Sequence, residues 1–142
     1  MIISVASGKG GVGKTTVTAN LGSMLAKRDL NILLVDADLA SGNLAYYLGV
    51  ENSGLTLQDI LSDEENRIEK AVFEISRTLD LLPAGSSFGG FLNSYLNRLK
   101  GLLPELAANY DLVFLDLPPG ISKNSVGPLR ISDQILLVVT PD

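Results

Sequence analysis

The segment Gly8-Lys9-Gly10-Gly11-Val12-Gly13-Lys14-Thr15 constrains this chain more than any other. It follows a short apolar run, Ile2–Ala6. It precedes a stretch from Thr15 to Arg28 in which Val17, Leu21, Met24 and Leu25 recur at helical spacing. The octet fits G-x-x-x-x-G-K-[ST] at Gly8, Gly13, Lys14 and Thr15. Backbone of this kind wraps a phosphate without Cβ clashes and turns the successive N–H groups of Gly10, Gly11 and Val12 inward. The positive end of the following helix adds field at the same point. Lys14 is placed to reach the β- and γ-phosphates of a nucleotide, and the Thr15 hydroxyl is a hard oxygen ligand for Mg²⁺.

The same residues also satisfy G-x-G-x-x-G at Gly8, Gly10 and Gly13. An acid follows about 20 residues later at the end of a second apolar run, as in a dinucleotide-binding turn. Lys14-Thr15 directly after the last glycine favours the phosphate loop over this rival. A dinucleotide turn does not call for that cation, and it leaves Asp116 unexplained. A merely flexible turn would need the whole motif at a strand–helix junction by accident.

Beyond the loop, strand and helix signals alternate. Ile32–Val35, Leu79–Leu82, Leu112–Leu115 and Ile135–Val139 read as further strands. Leu55–Leu61 and Arg67–Ile75 read as short helices, Ser86–Gly90 as a loop, and about Phe91 to Lys100 as a helix that Gly101 and Pro104 interrupt. Strands this apolar, separated by helices, predict an α/β fold with a mostly parallel sheet and helices on both faces. With 142 residues, 46% of them hydrophobic, the chain is expected to form one domain, 1–142. A doubly wound domain covers its last strand with a helix. No residues remain here for one, so Asp142 reads as a truncation point.

Composition then excludes chemistries. Without Cys there is no disulfide, thiolate nucleophile or Cys-held metal, and without His no imidazole base. The net charge of −5 and the lack of a basic run argue against broad attraction of this stretch to nucleic acid or anionic lipid. No apolar run is long enough to span a bilayer, and Met1 leads into Ile-Ile-Ser-Val-Ala rather than a signal sequence. The expected location is cytoplasmic.

Catalysis is therefore left to carboxylates, Lys, hydroxyls, backbone N–H groups or a metal. Asp36 and Asp38 close the second strand and Asp116 the fourth. The carboxyl ends of parallel strands face the ligand crevice, where three acids can hold Mg²⁺ through water or orient an attacking water. A lone Asp after a strand is more commonly a turn residue; three beside a phosphate loop favour function, most clearly at Asp116. Pro118-Pro119-Gly120 is either a stiff turn or a switch that carries backbone donors to the γ-phosphate. Asn43 is a candidate polar switch residue. Asp63, Glu64, Glu65 and Glu69 read as a solvated flank. Tyr46, Tyr47, Phe91 and Tyr95 read as packing residues.

Ser7 to Thr16 resembles the deviant Walker A motif of the MinD/ParA ATPases, marked by the extra lysine Lys9. Asp36-Ala37-Asp38 with Asn43-Leu44 resembles their switch I. Leu82-Pro83-Ala84-Gly85, Asp116-Leu117-Pro118-Pro119-Gly120-Ile121 and Asp133-Gln134 through Thr140-Pro141 continue the likeness along the chain. The resemblance implies an ATPase that binds Mg-ATP and closes into an ATP-dependent face-to-face homodimer. By it, Lys9 would reach the partner's phosphates, Lys14 would hold the phosphates, and Thr15 would bind Mg²⁺. Asp38 would position the hydrolytic water, Asp36 and Asp116 would surround the metal, and Thr16 would contact the α-phosphate. The segment from Asp36 to Gly49 looks closest to the MinD branch, which implies slow, partner-stimulated hydrolysis by a switch in the placement of cell division. An activator protein is an implied partner, with membrane attachment only through a segment absent from these residues. A ParA-like partition ATPase, an iron-protein-like reductase and a non-catalytic nucleotide-binding module stay open as alternatives; the reductase would need cysteines this chain does not have.

Overall fold

The computed structural model describes residues 1–51, 54–63, 65, 67–85 and 92–141, the side chains of 92–96 excepted. Its elements in chain order are β1 (Ile2–Ala6), α1 (Lys14–Ala26), β2 (Ile32–Asp36), α2 (Leu44–Tyr47) and α3 (Leu57–Ser62). After a 3₁₀ turn, Ile68–Ala71, come β3 (Phe73–Ser76), β4 (Leu79–Leu82), α4 (Leu92–Ala107), β5 (Leu112–Asp116), α5 (Lys123–Leu129) and β6 (Gln134–Leu137). The strands form one sheet in the order β3-β4-β2-β5-β1-β6, parallel throughout except for β3 against β4. The expected α/β fold with a mostly parallel sheet is what the chain adopts.

Strand alternation divides the core in two. Leu33 and Val35 of β2 and Val113 and Leu115 of β5 pack on the face covered by α3 and α4. Ile32, Leu34 and Phe114 pack on the opposite face, with Ala19 and Ala26 of α1 and Leu44 of α2. By the same period of two, Asp36 and Asp116 fall on the α1 face. They are also register partners, side by side at the carboxyl ends of β2 and β5.

Helix α1 corrects one expectation. Its buried residues are Lys14, Thr18, Ala19, Gly22 and Ala26, whereas Met24 is 63% exposed and Val17, Leu21 and Leu25 are half-buried. The helix lies so close to β2 that a Cβ on Gly22 would come within 2.5 Å of a Leu34 methyl. Small residues therefore face the sheet, and the larger ones flank the contact.

Three further differences concern secondary structure. Arg67–Ile75 is not a helix: after the 3₁₀ turn, Phe73–Ser76 pairs antiparallel with β4 through a turn at Arg77-Thr78. Ile68, Ala71, Val72 and Ile75 fit helical spacing, but Phe73 and Ile75 alternate with exposed Glu74 and Ser76, and the hairpin partner settles the choice. Helix α4 runs through Gly101 and Pro104 to Ala107. Pro104 offers no N–H to the carbonyl one turn back, a cost of about 3 kcal/mol. Burial of Leu103 and Leu106, on either side of the proline, offsets it at about 1.5–3 kcal/mol each. Helix α5 was not expected, because Gly127 and Pro128 sit within it; a capping box between Ser122 and Ser125 starts it.

At the sheet edge, Ile135 and Leu137 of β6 and Val139 just after it are 58%, 61% and 70% exposed. Their neighbours Leu136 and Val138 pack on the α1 face. The expected Ser86–Gly90 loop, the helix start at Phe91, Glu64 and Asp142 lie outside the described residues. No helix among the described residues is long and apolar enough to cross a membrane.

Candidate phosphate-binding site

Between β1 and α1 the chain turns sharply at Gly11 (φ 75°) and Gly13 (φ 89°), both in the left-handed region. A side chain at either would cost roughly 1–2 kcal/mol in backbone strain. Gly13 occupies the N-cap position of α1 without a side-chain cap, so the helix presents its first backbone N–H groups beside the loop. A cavity of about 230 Å³ opens there. The loop from Gly10 to Thr16 lines it, together with Asp36, Asp38, Ser41, Asn43, Tyr47, Asp116 and Pro119.

At its base Lys14 Nζ donates to Asp116 Oδ1 at 2.9 Å, with both side chains buried. Thr18, one turn along α1, donates from its hydroxyl to the Lys14 carbonyl at 3.0 Å and to Asp116 Oδ1 at 3.4 Å. The phosphate-loop lysine is thus fixed to the acid at the end of β5. The dinucleotide reading of the octet has no use for such a pair.

Asp36, beside Asp116 in the register, accepts the Leu44 N–H at 3.0 Å and the Asp38 N–H at 3.2 Å. Burial pushes its carboxyl up to about 7, and the neighbouring Asp116 and Asp38 carboxylates act in the same direction; the two backbone N–H groups oppose them. Asp38 organises its own loop. Its carboxylate accepts the Ala40 and Ser41 N–H groups at 3.3 and 3.2 Å and the Ser41 hydroxyl at 2.9 Å. Asn43 lines the cavity and donates to the Ser41 carbonyl at 2.7 Å.

The cavity therefore brings together Gly10, Gly11, Val12, Gly13, Lys14, Thr15, Thr16, Asp36, Asp38 and Asp116. Gly8 and Lys9 are exposed and do not line it. Of the turn after β5, Pro119 lines the cavity, while Pro118 and Gly120 do not. Gly120 (φ 79°) donates its N–H to the Ser7 carbonyl at 2.9 Å, tying this turn to the start of the phosphate loop. Tyr46 and Tyr47 are not packing residues: Tyr46 is 83% exposed, and Tyr47 stands at the cavity mouth. Asp63, Glu65 and Glu69 are exposed, as a solvated flank should be. Glu64, Phe91 and the Tyr95 side chain lie outside the described residues. Ser41 joins the lining with no sequence signal of its own, although its neighbours Asp38 and Asn43 are singled out.

Hard oxygen donors suited to a divalent cation are present at Thr15, Asp36 and Asp116. Asp116 Oδ1 is engaged by Lys14, and both Asp36 oxygens accept backbone N–H groups. Among the described residues no three acidic side chains form a metal-holding cluster of their own. The donor set fits Mg²⁺, which keeps several waters and takes further ligands from phosphate, better than a cation that needs an all-protein cage.

The profile of a family described as an AAA domain matches residues 1–142. The septum site-determining protein MinD of Thermotoga maritima is 37% identical over 143 residues, an alignment covering 99% of this chain and 52% of the relative. Among solved structures, MinD of Pyrococcus horikoshii complexed with Mg-ADP superposes with a TM-score of 0.86 at 32% identity, covering 99% of this chain and 58% of that one. A ParA family ATPase of Chlorobium tepidum gives 0.85 at 27% identity, covering 99% and 61%. This chain spans about half the length of the curated relatives it matches. Motif and topology agree with these likenesses, and the chain belongs to the MinD/ParA family of P-loop ATPases.

Proposed function

We propose that residues 1–142 form the nucleotide-binding domain of a MinD-like switch, which binds Mg-ATP, hydrolyses it slowly and pairs with a second copy while ATP is bound. The buried Lys14–Asp116 pair beneath a glycine loop at a helix N-terminus carries the reading. That pair holds a cation where phosphate charge gathers, and Mg-ADP in the Pyrococcus horikoshii relative supports the choice of ligand.

In this reading the backbone N–H groups from Gly10 to Thr16 and the Lys14 ammonium bind the phosphates. Thr16 contacts the α-phosphate, and Thr15 with Asp36 and Asp116 holds Mg²⁺. Bound there, Mg²⁺ supplies charge neutralisation at the phosphate oxygens. Asp38, at the cavity wall, orients the attacking water. Pro118, Pro119 and Gly120 form the segment that responds when the γ-phosphate leaves, because Gly120 is hydrogen-bonded back to Ser7. Lys9, exposed outside the cavity, reaches the phosphates of a partner subunit. Such a dimer is a two-state device, since γ-phosphate contacts favour one state and hydrolysis removes them. The protein works in the cytoplasm, with an activator protein, in the placement of cell division. It meets the membrane only through a segment outside these residues.

Equilibrium binding of Mg-ATP, with light scattering on the same samples, tests this. Saturable binding that Lys14→Ala abolishes, with a doubling of mass under ATP that Lys9→Ala abolishes, is the expected result. Tight ATP binding without turnover and without any effect of Asp38→Ala would instead describe a non-catalytic nucleotide-binding module.

A further inference from the structure

The geometry points to Gln58, in α3, as the residue that positions the Asp38 loop for hydrolysis. Gln58 is 8% exposed and does not line the cavity. Its carboxamide lies between two loops. Nε2 donates to the Leu39 carbonyl at 2.9 Å and to the Gly85 carbonyl at 3.0 Å, and Oε1 accepts the Gly85 N–H. The Gly85 N–H demands an acceptor and the two carbonyls demand donors, so only one orientation of the amide satisfies all three.

Leu39 directly follows Asp38, and the loop that begins there is held at two other places. Asp36 accepts the N–H groups of Asp38 and Leu44, at the two ends of the segment. In its middle, Gly42 presses against the loop after β4, where a Cβ would come within 2.4 Å of the Ala84 Cβ. The loop after β4 is itself fastened to α3, whose Leu57 N–H donates to the Pro83 carbonyl at 2.8 Å. Gln58 thus joins the segment bearing Asp38 to a platform made by α3 and the end of β4. Only a carboxamide of this length offers two donors and an acceptor in that arrangement. Displacing the carboxylate by a fraction of an ångström would cost turnover while leaving the phosphate loop, which Gln58 does not touch, intact.

The inference rests on the hydrolytic role given to Asp38, and two independent readouts separate the two. Full chains carrying Gln58→Glu and Gln58→Met are compared with wild type. Glu keeps the length and the acceptor while removing both donors, so it isolates the two carbonyl contacts should the Met variant fold poorly. Amide exchange at Ala40 and Ser41, whose N–H groups Asp38 accepts, is expected to accelerate at least severalfold in both variants. Turnover is expected to fall about 10-fold to 100-fold, with the Mg-ATP dissociation constant changed by less than about twofold. Combined with Asp38→Asn, neither variant should lower turnover further, because both act through the same carboxylate. Unchanged protection at Ala40 and Ser41 would overturn the positioning role, as would losses that multiply with those of Asp38→Asn. Wild type that binds Mg-ATP without turning it over would overturn the hydrolytic reading and this inference's catalytic consequence together. It would do so by flat turnover in every variant, whatever the exchange rates show.

Discussion

At Asp116 a buried carboxylate meets a buried ammonium, and the consequences of separating them are asymmetric. Lys14→Ala leaves Asp116, 2% exposed, with the Thr18 hydroxyl in place of a cation. Breaking a buried pair this way costs about 3–5 kcal/mol. Denaturant titration is expected to show that loss, and Lys14→Ala/Asp116→Asn is expected to regain most of it, since no charge is then stranded. The neighbouring Asp36 carries a pH signature. Between the unfolded value of 3.8 and about 7, the folded chain holds a proton that the unfolded chain releases. The stability linked to this carboxyl is therefore complete below about pH 4 and is lost as pH rises through 7, by about 1.4 kcal/mol per pH unit within that window. With no His in the chain to titrate over the same range, the thermal midpoint should fall from pH 5 to pH 7 and level off above it. Asp36→Asn should flatten that slope.

At the scale of elements, α1 owes its position to what it does not carry on its inner face. Gly22→Leu would drive a branched side chain into Leu34, which is fully buried and has nowhere to retreat. A loss of about 3 kcal/mol or more is expected in denaturant titration. The sequence made α1 and the parallel strands legible but not the helix's inner face. Apolar spacing marks Val17, Leu21, Met24 and Leu25, whereas close approach selects Thr18, Ala19 and Gly22. Strand β3 was hidden because one stretch carries both periods, and the deciding hairpin partner is distant in energy though near in sequence. Helix α5 was hidden by Gly127 and Pro128. The candidate site was more legible than the fold around it. Its groups lie at strand ends beside a motif whose spacing is set by phosphate geometry, so Lys14, Thr15, Asp36 and Asp116 could be named without coordinates. Gln58 could not be, because nothing in the spacing of a lone glutamine shows that three backbone groups from two loops converge on it.

Across the whole molecule, the sheet order sets which loops can act together. β1 lies next to β5, and β5 next to β2, so the phosphate loop, the turn after Asp116 and the Asp38 loop stand in a row along one end of the sheet. The central turn is joined to both neighbours, through the Gly120–Ser7 and Lys14–Asp116 bonds toward α1 and through the Asp36–Asp116 pairing toward Asp38. The far edge has a different bearing on any study of this chain in solution. Among the described residues β6 pairs only with β1, and Ile135, Leu137 and Val139 stand exposed along it, an arrangement by which sheets add copies of themselves laterally. Such adhesion would ignore nucleotide, grow with concentration and persist in Lys9→Ala. A charged replacement at Leu137 would dissolve it and leave the proposed ATP-dependent pairing to be counted alone.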